Sequence, residues 1–201
     1  MDLRDAKAFI IGLAVVSCAA YCIRANEAAG SSSAKPRYNA SGGLLLPSEY
    51  RRWIFLSAGI GMTYTQSSTG VLPFENVFVN PAAYDAFLKT GRWPDKTMLL
   101  LEVRRSESHV SINKDGRVQT QTIVGLEAHV KDDAHGGWAF YNVPEGATEG
   151  RPFPKTADCF TCHEQNGASD TTFVQFYPTL IEAAKQKGTY RDTEHSKREH
   201  D

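Results

Sequence analysis

The sequence predicts an α+β domain in which an antiparallel β-sheet is flanked by helices, and three observations support this fold class. Segments of strand composition come first along the patterned region and helical segments mostly follow them, an order typical of α+β folds. The 201 residues suit one domain with terminal extensions, and 41% hydrophobic with 22% charged residues suits a soluble protein with one core. No internal repeat is visible.

Six segments have the β-branched and aromatic composition of strands, with proline, glycine or asparagine at several of the breaks between them. We predict a strand in each of the ranges 50–64, 75–80, 97–103, 108–113, 117–130 and 136–143. The sequence Asn-Lys-Asp-Gly at 113–116 predicts the turn of a hairpin, which makes the strands beside it antiparallel.

Three helices are predicted. The first begins with Asn80 as N-cap and Pro81 at the first helical position, and it ends at Gly91. The second surrounds residues 159–163, and the third runs to Lys187. Helices therefore flank the predicted sheet, and the second one holds the motif described below.

Composition divides the chain into four segments. Residues 24–43 are small, polar and glycine-rich, as in a flexible linker, and residues 188–201 are charged and poor in large apolar groups, as in a disordered tail. The working domain is predicted at 44–187, and residues 1–23 are predicted to be an export signal.

The N-terminal segment predicts an exported, periplasmic protein. Arg4 and Lys7 precede an apolar run from Ala8 to Ile23, as in a secretory signal peptide. Cys18 follows Val-Val-Ser, which resembles a bacterial lipoprotein processing site. Simple cleavage, lipid anchoring through Cys18 and a retained membrane anchor therefore stay open, although the run is short for a membrane span.

The sequence Cys-Phe-Thr-Cys-His at 159–163 is a C-x-x-C-H motif, which predicts one covalently attached haem c. The thiols of Cys159 and Cys162 can add to the two vinyl groups of a haem, and the adjacent His163 can then ligate its iron. A thioredoxin-like redox pair and a structural zinc site are the rivals. The first belongs near a βαβ unit and the second needs four ligands, and neither pattern is visible.

The other axial position of the iron is predicted to be open. Small electron-carrying cytochromes use a methionine downstream of the motif, and none follows His163. Met62 and Met98 lie upstream with the character of core residues, and lone histidines such as His129 are usually hydrogen-bonded or solvated. His109 and His135 belong to the same class. An open position allows a small molecule to bind the iron.

The segments GLEAHVKD, GGWAFYNV and ADCFTCHEQNGASDTTFVQFYPTL, with the earlier LLLPSEYRRW, resemble the cytochrome P-460 and cytochrome c-prime-beta family of bacterial monohaem proteins. The similarity covers residues 44–180 and is most specific over 138–178. The resemblance implies a mainly β, often homodimeric fold, unlike the four-helix bundles of other cytochromes c-prime.

The resemblance also assigns two residues on the distal side of the haem. Hydroxylamine-oxidising members carry a strand lysine that is covalently linked to the haem, and Leu101 stands at that position, so we expect no cross-link. Glu127 matches a glutamate that assists proton movement in those members. The alternative for Glu127 is a solvated side chain on the polar side of a strand.

Apolar side chains line the distal pocket in the gas-binding members of the family. By strand alternation, Phe74 and Phe78 share one face, and Leu99 and Leu101 share one face of another strand. Either pair could line such a pocket, and ordinary core packing is the alternative for both.

These features lead to one hypothesis and two alternatives. The chain is predicted to be a c-type monohaem protein whose five-coordinate iron binds nitric oxide or a related small ligand and takes part in redox chemistry. The alternatives are a hydroxylamine-oxidising enzyme with Glu127 as proton relay, and a simple periplasmic electron carrier. Expected partners are the ligand, a periplasmic redox partner and a second copy of the chain. Nucleic acid is not expected, since the net charge is −1 and no basic stripe is present.

Overall fold

The computed structural model describes residues 35–63 and 72–193, which belong to one compact unit. The strands are β1 (Leu44–Leu45), β2 (Ile54–Ile60), β3 (Phe74–Val79), β4 (Met98–Glu107), β5 (Val118–Asp132), β6 (Gly137–Val143) and β7 (Glu149–Pro152). The helices are α1 (Pro81–Thr90), α2 (Asp158–Asn166) and α3 (Pro178–Gln186). All strands pair antiparallel in the order β1-β7-β6-β5-β4-β3-β2. The α+β class with flanking helices is confirmed.

The predicted strand at 108–113 is wrong. Strand β4 continues to Glu107, which pairs with Val118 of β5, and the residues between them form the hairpin loop. His109 and Ser111 have φ angles of 57° and 55° there, in a left-handed region that strands do not use. The short strands β1 and β7 were not predicted, because two to four residues carry no periodic signal.

Helix α1 begins and ends where the sequence predicts. Pro81 is its first residue, and Gly91 closes it with a φ of 70° while its N–H donates to Phe87. The Asn80 side chain makes no capping bond. Its oxygen instead accepts the Met98 N–H at 2.8 Å, which fastens the helix start to β4.

The two faces of the sheet pack against different parts of the chain. Leu56, Val79 and Leu99 belong to one core cluster with residues of α1 and α3. Alternate residues such as Leu100 point the other way, into a second cluster that includes Tyr50 and other residues before β2. We call the first side the motif face, because α2 also contacts it, and the second the opposite face.

Parts of the predicted linker and tail contact the domain. The Tyr38 hydroxyl donates to Asp132 at 3.0 Å, and the Arg191 guanidinium donates to backbone carbonyls at the end of α2. The predicted signal with Cys18, residues 24–34 of the linker and residues 194–201 lie outside the described residues. Within 35–63 and 72–193, no helix is long and apolar enough to cross a membrane.

Candidate haem site

Helix α2 carries the C-x-x-C-H motif. Cys159 and Cys162 lie three residues apart on the helix, so their side chains share one side of it, and His163 follows within the same turn. Both thiols are free and partly exposed. The two sulfurs and the imidazole are therefore presented together, as covalent haem attachment requires.

The imidazole of His163 is oriented by one backbone hydrogen bond. Its Nδ1 lies 2.9 Å from the carbonyl oxygen of Thr171, which can only accept, so Nδ1 carries the proton and Nε2 is left with its lone pair. Burial lowers the pKa of His163, although the bond to Thr171 opposes this effect. A neutral imidazole with a free Nε2 is the form that ligates a metal.

Aromatic rings surround His163. The ring centroids of Phe173 and Phe140 lie 4.2 Å and 4.5 Å from that of His163, and the ring of His129 lies 4.9 Å away. His129 is itself stacked on Phe140 at 4.0 Å. Burial is the main cause that holds the pKa of His129 far below its usual range, so this ring is also neutral.

Strand register divides the motif face into a buried row and an open row. In the buried row, Val79, Leu99, His129 and Phe140 are paired side by side across β3 to β6. The next row along the same strands is Val77, Leu101, Glu127 and Asn142, and all four are partly or largely exposed. The open row therefore adjoins the cluster around His163.

Glu127 lies close to the motif. Its side chain keeps access to solvent, yet partial burial raises its pKa. The carboxylate is also one of the groups that raise the pKa of Cys159, after burial of that thiol. Leu101 is the direct cross-strand neighbour of Glu127. Leu101 and Glu127 therefore lie side by side, and Glu127 lies near the motif.

The structure does not bring Phe74 and Phe78 to this site. Phe78 pairs with Leu100 and packs edge-on against Tyr50 and Phe55, with ring centroids 5.9 Å and 5.8 Å away. Alternation along β3 gives Val77 the motif face and leaves both phenylalanines on the opposite face. Of the two pairs considered for the pocket, only Leu99 and Leu101 lie on the motif face.

Unpaired polar atoms gather around His163. Among the described residues, three buried side-chain atoms have no hydrogen-bond partner: His129 Nε2, Trp138 Nε1 and Thr171 Oγ1. The His129 ring contacts both His163 and Trp138, and Thr171 holds the His163 imidazole. Buried polar atoms are normally paired, so this concentration fits a site that takes a further group. The donor set, the free Nε2 and the apolar side chains of Val77 and Leu101 in the open row all suit haem.

The structure supports neither alternative interpretation of the motif, a thioredoxin-like redox pair or a structural zinc site. The described strands are all antiparallel, so they form no βαβ unit, and the pKa of Cys159 is raised, whereas redox thiols have lowered values. Within the described ranges, no group of three His, Cys, Asp or Glu residues could hold a metal ion.

The side chains considered for the second axial position lie in other surroundings. Met98 is fully buried on the opposite face, and Met62 is 44% exposed. His109 is exposed in the hairpin loop, and Nδ1 of His135 lies 3.1 Å from Asp132. His129 contacts the ring of His163 directly and is part of its surroundings.

Comparison with known families identifies the chain at this point. A sequence model described as Cytochrome P460 matches residues 47–174, more than half of the chain and all of α2. The chain belongs to the cytochrome P460 family. Membership implies a haem cofactor with its iron, and the C-x-x-C-H motif lies inside the matched region. A comparison with curated proteins finds no match.

Sequence reasoning set aside His129 as a hydrogen-bonded or solvated residue and missed Thr171, and both belong to the surroundings of this cytochrome P460 site. His129 lies two positions after Glu127 on β5, so alternation alone would have placed both on one face. Thr171 had no comparable signal, because its role depends on a backbone carbonyl.

Proposed function

We propose that this cytochrome P460 family member holds one haem covalently through Cys159 and Cys162, with Nε2 of His163 as the axial ligand of a five-coordinate iron that binds nitric oxide or a related small ligand. The observation that supports it best is the bond from His163 Nδ1 to Thr171, because it selects the tautomer with a free Nε2 on the helix that carries both thiols. When bound, the haem iron supplies ligand coordination and one-electron transfer.

The open row supplies the surroundings of the ligand. Val77 and Leu101 present apolar carbon beside the motif, which favours a small neutral molecule over water and ions. Leu101 has no amine, so the covalent lysine link of the hydroxylamine-oxidising members cannot form at this position. Both features favour the binding of a small ligand over the oxidation of hydroxylamine.

Mass and optical spectra of the purified holoprotein test this proposal. We expect the peptide containing 159–163 to carry one haem mass through two thioether bonds, and the reduced spectrum to shift when nitric oxide or carbon monoxide is added. Cys159→Ser and Cys162→Ser should each reduce the attachment to one bond, and the double variant should abolish it. A reduced iron with two protein ligands that takes up neither gas would contradict the proposal.

Hydroxylamine oxidation is the second candidate, because Glu127 lies by the motif with a raised pKa suited to proton transfer. Turnover with an artificial electron acceptor, lost in Glu127→Gln and kept in the exposed control Glu182→Gln, would establish it. A high potential with no ligand uptake would instead indicate an electron carrier.

We also propose that the protein acts outside the cytoplasm as a homodimer and exchanges electrons with a periplasmic redox partner. The basic and apolar N-terminal segment supports export, and the family resemblance supports the dimer. Cell fractionation with an intact-mass measurement separates cleavage, lipidation at Cys18 and a retained anchor. Light scattering of the purified protein measures the oligomeric state.

A further inference from the structure

The carbonyl that orients His163 belongs to a strained turn. Asp170 and Thr171 have φ angles of 50° and 60°, in the left-handed region that side chains with a Cβ atom disfavour. Two consecutive residues in this conformation persist only where their surroundings hold them. The direction of the Thr171 carbonyl therefore depends on the contacts of its neighbours.

The turn lies in backbone contact with the end of α2. A Cβ atom at Gly167 would lie 2.7 Å from the carbonyl oxygen of His163 and 2.8 Å from the carbonyl carbon of Thr171, closer than such atoms approach. Only glycine permits this approach. A displacement of the turn would therefore change the distance from Thr171 to the imidazole of His163.

Lys131 on β5 holds one side of the turn. Its Nζ lies 3.0 Å from a carboxylate oxygen of Asp170 and donates to the carbonyl oxygen of Trp93 at 2.8 Å. About four-fifths of each charged side chain is buried, 21% of Lys131 and 22% of Asp170 being exposed, so water screens this pair less than a surface pair. The Trp93 indole in turn donates to Thr172 Oγ1 at 2.8 Å. Both neighbours of Thr171 are thus tied to the scaffold.

We propose that Lys131 is a positioning residue for the axial ligand. Its ion pair with Asp170 holds the turn so that the carbonyl of Thr171 accepts the proton of His163 Nδ1. A firm bond at Nδ1 makes Nε2 a stronger donor to iron, which favours the ferric state. This inference rests on the proposed function, since it needs His163 to ligate the haem iron.

The test is Lys131→Met in the holoprotein, read by resonance Raman spectroscopy and by redox titration. We expect a lower iron–histidine stretching frequency in the reduced protein. We also expect a ferrous-to-ferric ratio roughly tenfold higher at a fixed solution potential, by analogy with the smallest losses of metal affinity that changes behind a metal ligand cause. That ratio corresponds to ~59 mV for one electron. Lys131→Arg keeps the cation and should restore most of both values.

The loss of the positive charge alone predicts a change of the haem potential in the opposite direction. Removing a cation near the haem favours the ferric state, so a rise in potential separates positioning from simple electrostatics. Lys185→Met is the matched control, because it removes one lysine whose side chain is 53% exposed on α3. It should leave the stretching frequency unchanged.

Besides a fall in the potential of Lys131→Met, three results would overturn the inference. One is a folded Lys131→Met holoprotein with the wild-type frequency and potential. If that variant does not fold, Asp170→Asn breaks the same ion pair at constant size, and an unchanged frequency there is the second. The third is a wild-type protein whose mass spectrum shows no attached haem, which overturns the proposed function as well. Attachment is measured independently, so the two failures are distinguishable.

Discussion

The two faces of the sheet bury their polar groups in different ways. On the opposite face, the Glu102 side chain is 2% exposed and accepts hydrogen bonds from the Tyr50 hydroxyl and from the guanidinium groups of Arg51 and Arg104. On the motif face, buried atoms of His129, Trp138 and Thr171 have no partner among the described residues. The chain completes the first network by itself, which serves stability. The second is arranged for a group that the chain does not supply.

The largest expected effect lies on the opposite face. Glu102→Ala leaves the guanidinium groups of Arg51 and Arg104 without their buried carboxylate, and we expect it to lower the free energy of unfolding by about 3 kcal/mol. Denaturant titration of the holoprotein measures this loss. Glu182 also makes an ion pair, but its side chain is 75% exposed. Glu182→Gln should therefore change stability by less than about 0.5 kcal/mol. A haem spectrum altered by Glu102→Ala would show that the two faces are not independent.

Truncation of one apolar side chain on each face sharpens the comparison. Phe78→Ala removes a half-buried ring that packs on Tyr50 and Phe55, and we expect it to cost about 2 kcal/mol of stability. Leu101→Ala opens the motif face to water and should weaken nitric oxide binding several-fold at a smaller cost in stability. Both quantities should be measured for both variants. If Phe78→Ala and Leu101→Ala lost the same affinity for nitric oxide, Leu101 would not belong to the proposed pocket.

Acid should weaken the opposite face through Asp132. Hydrogen bonds from Lys96, His135 and Tyr38 outweigh burial and lower the pKa of Asp132 to about 2 from 3.8. A depressed carboxyl pKa contributes stability that is complete above the unfolded value and is lost as the pH falls toward 2. Asp132→Asn should remove about 1 kcal/mol at neutral pH and flatten the pH dependence of unfolding between about 4 and 2. An unchanged slope would mean that the ionised Asp132 carboxylate contributes nothing to stability in this pH range.

The fold class and the motif were predictable because local patterns determine them. β-branched and aromatic composition identified β3 to β6, and the spacing of Cys159, Cys162 and His163 fits covalent haem attachment within one helical turn. The face of the sheet on which Phe78 lies was harder to predict from the sequence. Alternation relates residues within a strand, and only the pairing with β4 shows which set meets α2.

The surroundings of His163 could not be predicted for a different reason. They depend on contacts between distant parts of the chain, such as the ion pair of Lys131 with Asp170. The carbonyl of Thr171 faces the imidazole because two residues other than glycine adopt left-handed angles, which propensity does not indicate. Sequence patterns therefore sufficed to propose His163 as the iron ligand, and tertiary structure was needed to identify what orients its imidazole.

The smallest expected effect tests whether the charge of Glu127 changes the redox potential of the haem. Partial burial raises its pKa, so the carboxyl stays protonated to a higher pH than an ordinary glutamate. Ionisation near the haem stabilises the ferric state, and the potential should therefore fall as the pH rises through this pKa. Exposure to solvent screens the charge, which keeps the change below about tenfold in the ferrous-to-ferric ratio, or ~59 mV. Redox titration across pH should show the step in the wild type and in Glu182→Gln, and no step in Glu127→Gln. If the step persists in Glu127→Gln, another carboxyl on that face causes it. Glu75 is then the next residue to substitute, because burial also raises its pKa.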